Sequence, residues 1–228
     1  MPVVDLAISS RRELNQQLHR LPANTNETLW RVENPNGQHA LAVGIDALVT
    51  VEIAGHAGYY CAGMNSQATV IVHGNAGVGV AENMMSGTVH IHGDASQSAG
   101  ATAHGGLLLI DGDASARCGI SMKGVDIVVK GSIGPMSAFM AQSGNLVVLG
   151  DAGDALGDSI YEARLFVRGS VKSLGADCIE KELREEHAAE LRRLLDAAGL
   201  PDVQPGEFRR YGSARTLYSF HVDNAAAY

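Results

Sequence analysis

The stretches Thr69-Val-Ile-Val-His-Gly-Asn-Ala-Gly-Val-Gly-Val-Ala81 and Thr88-Val-His-Ile-His-Gly-Asp-Ala-Ser-Gln-Ser-Ala-Gly100 decide the fold, because the second repeats the first nineteen residues on. Extending that register in both directions gives Gly55, Gly74, Gly93, Gly112, Gly131, Gly150 and Gly169, with no gap or insertion. Two residues before each glycine stand Ile53, Val72, Ile91, Ile110, Val129, Val148 and Val167. Two further back stand Val51, Val70, Val89, Leu108, Ile127, Leu146 and Leu165. A separation of two places both apolar columns on one face of a strand. The column just before the glycines (Ala54, His73, His92, Asp111, Lys130, Leu149, Arg168) is mostly polar and is expected to face outward.

Seven residues after each glycine, every coil carries Gly or Ala: Ala62, Ala81, Gly100, Gly119, Ala138, Gly157 and Ala176. Such a column suits corners of unusual backbone geometry and implies close stacking of successive coils. One repeat per coil, with like positions stacked at the strand spacing of about 4.8 Å, builds a continuous inner core that no coil has alone. Nineteen is not a multiple of six, which excludes a hexapeptide solenoid, and propeller blades need about 40 residues or more. The expected fold is all-β: a right-handed single-stranded parallel β-helix over 49–176. An N-terminal cap, 1–48, precedes it, and a C-terminal helix with an extended tail, 177–228, follows.

The ends read differently. Ser10-Arg-Arg-Glu13 is a capping box opening a short helix through His19. An irregular stretch around Trp30 follows, leading into a strand-like Ala40–Val43. Asp177–Ala198 reads as a helix with Ile179, Leu183, Leu191, Leu194 and Leu195 as its apolar stripe, packed across or beside the last coil. The last 28 residues hold Phe208, Tyr211, Tyr218, Phe220 and Tyr228, either folded back on the rod or docking on another subunit.

Across 228 residues the formal net charge is −8, a poor surface for phosphate backbones, so neither nucleic acid nor anionic membrane is an expected partner. No apolar run suggests a span and no secretory signal opens the chain, so a cytoplasmic location is expected. Cys61, Cys118 and Cys178 form no CxxC pair. His90 and His92 share a strand face, and His73 should stack on His92 about 5 Å away. Zinc favours such rings, but with only Asp111 beyond them the weight falls on solvated or interface histidines. The column His56, Asn75, Asp94, Asp113, Ser132, Asp151 and Ser170 has carboxylates on adjacent coils, as polysaccharide-cleaving β-helices do. It repeats everywhere, however, and its residues are ordinary turn formers. Gly77-Val-Gly79 is a lone GxG without the setting of a dinucleotide site. The residues therefore point to no catalytic, cofactor-binding or metal site. The exposed column and the C-terminal aromatics remain as candidate partner contacts.

The columns spell GxxGxxxG, complete in Gly150-Asp-Ala-Gly-Asp-Ala-Leu-Gly157 and closed by alanine in Gly74-Asn-Ala-Gly-Val-Gly-Val-Ala81. This resembles the C-terminal glycine-repeat β-helix domain of glutamate synthase large subunits, a fold also found in a formylmethanofuran dehydrogenase subunit. Gly58-Tyr-Tyr-Cys-Ala-Gly-Met-Asn65, the stretch 124–141 and Gly157-Asp-Ser-Ile-Tyr-Glu-Ala163 are similar to the stand-alone β-helix subunit of N-methylglutamate synthases. That resemblance implies a non-catalytic structural subunit with two partners. One is a glutamine amidotransferase-like subunit, and the other is a synthase subunit carrying FMN and an iron–sulfur cluster. The complex would join methylamine and glutamate into N-methylglutamate with release of ammonia. The competing readings are a subunit of a formylmethanofuran dehydrogenase-type complex and a free-standing polysaccharide-acting enzyme.

Overall fold

A computed structural model describes residues 1–22, 25, 26 and 28–216. Its centre is the parallel β-solenoid that the repeat demands. Strands β1 (Val3–Asp5), β2 (Leu29–Glu33), β3 (Thr50–Ile53), β4 (Thr69–Val72), β5 (Thr88–Ile91), β6 (Leu107–Ile110), β7 (Lys123–Val129), β8 (Ser143–Val148) and β9 (Arg164–Val167) stack in chain order, all parallel. From β3 to β9 the inner column keeps the nineteen-residue register, Val51, Val70, Val89, Leu108, Ile127, Leu146 and Leu165 pairing in series, and the start of β7 slips by one residue at Lys123. All seven are fully buried. A second ladder joins Ala57, Ala76, Ala95, Ala114, Ile133, Ala152 and Val171 through single parallel bridges.

The Gly/Ala column is explained by handedness and by the core. Alternate residues of each turn lie in the left-handed region, for example Ser98 (φ 60), Gly100 (φ 67) and Thr102 (φ 53). The middle one donates its N–H to the preceding coil (Gly100 N to Val80 O, 2.9 Å), and its neighbours donate to the following coil (Ser98 N to Ala116 O, 3.0 Å; Thr102 N to Ile120 O, 2.9 Å). These coil-to-coil bonds hold a conformation that costs about 1–2 kcal/mol per L-residue. The middle position faces inward: a Cβ on Gly100 would lie 2.7 Å from Ile127 Cδ1. Crowding by the core, rather than stacking against its own counterparts, therefore keeps this column small. Coil-on-coil contact is instead the constraint at the repeat glycines. A Cβ on Gly131 would meet Gly112 O at 2.7 Å, and one on Gly134 would meet Ala116 N at 2.5 Å.

The polar column after the repeat glycines is a structural ladder. Each side chain accepts the backbone N–H of its counterpart one coil on: Asn75 Oδ1 from Asp94 (3.0 Å), Asp94 Oδ1 from Asp113 (2.9 Å), Asp113 Oδ1 from Ser132 (2.7 Å), Ser132 Oγ from Asp151 (3.0 Å). Asp151 receives both the N–H and the hydroxyl of Ser170, and these bonds hold its carboxyl below the usual range. The column needs acceptors and no particular charge. Asp113→Asn should therefore match the parent in chemical denaturation, while Asp113→Ala should lose about 0.5–1 kcal/mol. Equal losses in the two variants would show that charge matters instead.

The ends differ from expectation. Trp30 sits in β2, buried, paired with Val51 at an offset of 21 residues. Ala40–Val43 is not a strand: Ala40 and Ala42 are left-handed (φ 54 each), and the segment hydrogen-bonds coil to coil with Tyr59 and Ala62. The solenoid thus begins one irregular coil earlier than its glycines. Helix α1 (Arg11–His19) opens with the expected capping box at Ser10. It packs Leu14 and Leu18 into the core and ties Asn15 Nδ2 to Ala40 O (2.8 Å).

At the other end the helix α2 begins only at Glu185 and runs to Ala197; Cys178–Lys181 is strand β10. A strand wins there because β11 (Arg209–Ser213) returns antiparallel between β9 and β10 and pairs with both. Asp177 anchors that return by accepting from Ser213 Oγ and Thr216 N (2.7 Å each). Helix α2 lies on the outward face of the sheet. There Leu191, Leu194 and Leu195 bury Leu109, Val128, Val147 and Phe166 in a second core. Arg193 fixes the helix to the sheet through Asp126 (2.6 Å).

Candidate partner face and histidine cluster

Because α2 covers only the β6–β9 end, the outward face of β2–β5 has no cover among the described residues. Two columns run along it. Arg31, Glu52, Ile71 and His90 form one, in register through the strand pairs, and the line continues into Leu109 beneath the second core. The other is the column preceding the repeat glycines. Glu52 links the two columns, its Oε2 meeting Arg31 Nη1 at 3.3 Å and His73 Nε2 at 3.8 Å.

The polar residues converge at β5. His73 and His92 stack with centroids 5.1 Å apart and planes 11° apart, as the coil spacing requires. His90 lies 4.2 Å from His92. Asp111 reaches back one coil and takes both rings on a single oxygen: His90 Nε2 to Oδ2 is 2.9 Å and His92 Nδ1 to Oδ2 is 2.8 Å. Lys130 Nζ meets the other oxygen at 2.8 Å. Burial opposes ionisation of Asp111, but Lys130, His90 and His92 together hold its carboxyl below the usual range. Among the described residues, His90, His92 and Asp111 are the group whose donor atoms come close enough to hold a metal ion, all within 4.8 Å of one another.

The remaining candidates take clear places. Phe208 joins the second core and Tyr211 the main one, so both follow the folded-back reading of the tail. Tyr218, Phe220 and Tyr228 lie outside the described residues. Arg168 is engaged by Glu207 of its own chain (2.7 Å), and Leu149 packs against the second core. The outward column is therefore open at His73 and His92 and closed by this chain itself at its far end. Cys61 and Cys118 are fully buried, and burial pushes both thiols up to about 12, far from a reactive thiolate. A polar cleft of about 60 Å³ lies at the last coil, where Arg215 pairs with Glu162 (2.8 Å). It is too small for a flavin, since cofactor pockets run to about 300–1,000 Å³. No described helix is long and apolar enough to cross a membrane.

Comparison with known proteins finds a full-length relative. Protein GlxC of Rhizobium meliloti (strain 1021) is 66% identical over 228 residues, covering the whole of both chains. The chain belongs to the GlxC family. No protein-family model matches it, and no solved structure does. For this GlxC-family chain the end-to-end match means that solenoid, α2 and β11 together form the unit shared with the relative. The signal for the histidine cluster was present in the sequence, as His90-Ile-His92 followed nineteen residues later by Asp111. What it lacked was the direction in which Asp111 turns.

Proposed function

We propose that this chain is a non-catalytic structural subunit of a glutamate-synthase-like complex, specifically N-methylglutamate synthase. In this role it links an amidotransferase-like subunit to a synthase subunit that carries FMN and an iron–sulfur cluster, in the cytoplasm. The complex converts methylamine and L-glutamate to N-methylglutamate and ammonia. The glycine-repeat motifs support the family. The observation that carries the scaffold role is the uneven cover of the sheet. The outward columns buried by α2 over β6–β9 continue onto β3–β5 with no described helix above them, and there Ile71 is half-buried between Glu52 and His90. A flat sheet face with an apolar centre and a charged rim has the anatomy of a protein interface.

Co-expression of this chain with both partner subunits, followed by affinity capture and mass spectrometry, is expected to return all three. Ile71→Arg should weaken that assembly about tenfold or more, as hot-spot substitutions do. Its melting temperature should stay near the parent's, because a surface change costs within about 0.5 kcal/mol. Isolation of the parent chain alone from the co-expressing cells would refute the structural-subunit reading. Undiminished assembly of the Ile71→Arg variant would refute this face as the contact.

A further inference from the structure

We propose that His90, His92 and Asp111 form a binding site for a divalent transition-metal ion of the zinc type. His90 lies in β5 and His92 one residue past its end, where the His92 N–H still bonds Val72 O of the preceding coil (3.0 Å), so the strand's alternation carries both rings to the outward face. Asp111 follows β6 and lies beside His92 one coil on. Three donors thus come from two adjacent coils: one from within a strand and two from strand ends whose N–H groups still bond the preceding coil (Asp111 N to Ile91 O, 2.9 Å).

The distances fit an ion after a small expansion. Zinc bonds of about 2.0–2.1 Å in a tetrahedral arrangement separate neighbouring ligand atoms by about 3.3 Å. Here the two nitrogens stand 2.9 and 2.8 Å from Asp111 Oδ2 and within 4.8 Å of each other, so an ion needs each nitrogen–oxygen pair to open by about half an ångström. An ionised carboxylate only accepts, so without an ion each facing ring nitrogen carries the hydrogen. On binding, a neutral imidazole moves that proton to its other nitrogen and presents a lone pair.

Neighbouring groups support the three ligands without competing for the ion. Lys130 holds Asp111 by Oδ1 and leaves Oδ2 free to ligate. His73, stacked on His92, fixes the plane of that ring, as the outer partners of metal ligands commonly do. Three protein ligands leave a fourth position on the solvent side, where His92 is 42% exposed. Water fills such a position in open zinc sites.

The test uses the full-length protein, stripped with chelator and titrated with Co²⁺ while its visible d–d absorption is followed. Zn²⁺ is then added as competitor, and thermal melting is recorded in parallel. Saturation at one ion per chain, bleaching by Zn²⁺ and a raised melting temperature are expected. His90→Ala and Asp111→Asn should each weaken binding at least about tenfold while keeping the parent's metal-free melting temperature. Both side chains are partly exposed and outside the two cores, so the variants should fold, and circular dichroism verifies it. His73→Ala should weaken binding less than either. Absence of a Co²⁺ spectrum in the parent would overturn the site and leave the cluster as an ion-pair network. Equal binding by the His90→Ala and Asp111→Asn variants would overturn it as well, placing the ion elsewhere.

Discussion

Gly100→Val is expected to lower the unfolding free energy by about 3 kcal/mol, read as a shift of the denaturant midpoint at unchanged slope. Two costs add. A valine held at φ +67 bears the left-handed penalty of about 1–2 kcal/mol. Its side chain must also displace Ile127 and Leu108, whose atoms would lie 2.7 and 3.2 Å from the new Cβ. Overpacking of that kind adds about 1–3 kcal/mol. Two other glycines separate these contributions. Gly37 is equally left-handed (φ +68), but a Cβ there meets nothing within 4 Å, so Gly37→Val should show the conformational cost alone. At Gly134 the backbone is not left-handed, yet the Cβ would press on Ala116 N and Ser115 C at 2.5 and 2.7 Å. Backbone cannot rotate away as Ile127 can, so Gly134→Val should cost at least as much as Gly100→Val. Equal losses at Gly37 and Gly100 would remove the packing argument, and a silent Gly134→Val would remove the coil-on-coil one.

The other large effect belongs to α2. Leu194 is fully buried against the outward sheet face. Leu194→Asp is expected to cost at least about 3 kcal/mol, because it forfeits the packing of a buried leucine and adds an unpaired carboxylate. The loss should be local. With α2 detached, Leu109, Val128, Val147 and Phe166 are bared while the inner stack keeps its ladders. Far-UV spectra should lose helix and retain strand, and an apolar dye should bind. Loss of the β signal together with the helix would mean that the solenoid depends on α2 for its existence.

Where the same steric problem recurs every nineteen residues, the sequence answers it the same way each time. β3 to β9 and the inner columns could therefore be read from the repeat, while the polar column reads there only as turn formers and its bonds to the next coil show only in the structure. The first coil escaped that reading for a physical reason. Its offset is 21 residues, and Asn34, left-handed at φ 52, stands where Gly55 stands one coil later. Trp30 and Val32 are inner-column residues without their period. Cys178–Lys181 reads as helix in the sequence because Ile179 extends the helical stripe, whereas its strand partners, Arg210–Ser213, come 29–35 residues later and run the other way. Such pairing is non-local and leaves no periodic trace. The His90–His92–Asp111 grouping was half visible. Strand alternation put the two rings together, but only side-chain geometry shows one carboxylate oxygen serving both.

The reversal at β11 has a consequence for how the chain is made. Every strand from β2 to β8 finds its neighbour within about one coil of synthesis, but β9 must wait for Arg209–Ser213. At a translation rate of about 5–20 residues per second, the 46 residues from Arg168 to Ser213 take roughly 2–9 s to make. Throughout that interval the nascent rod presents a bare parallel rung to solvent. The ribosome-bound chain is then most open to pairing with a second copy or with a chaperone. Closure comes only with nearly the last described segment to leave the tunnel.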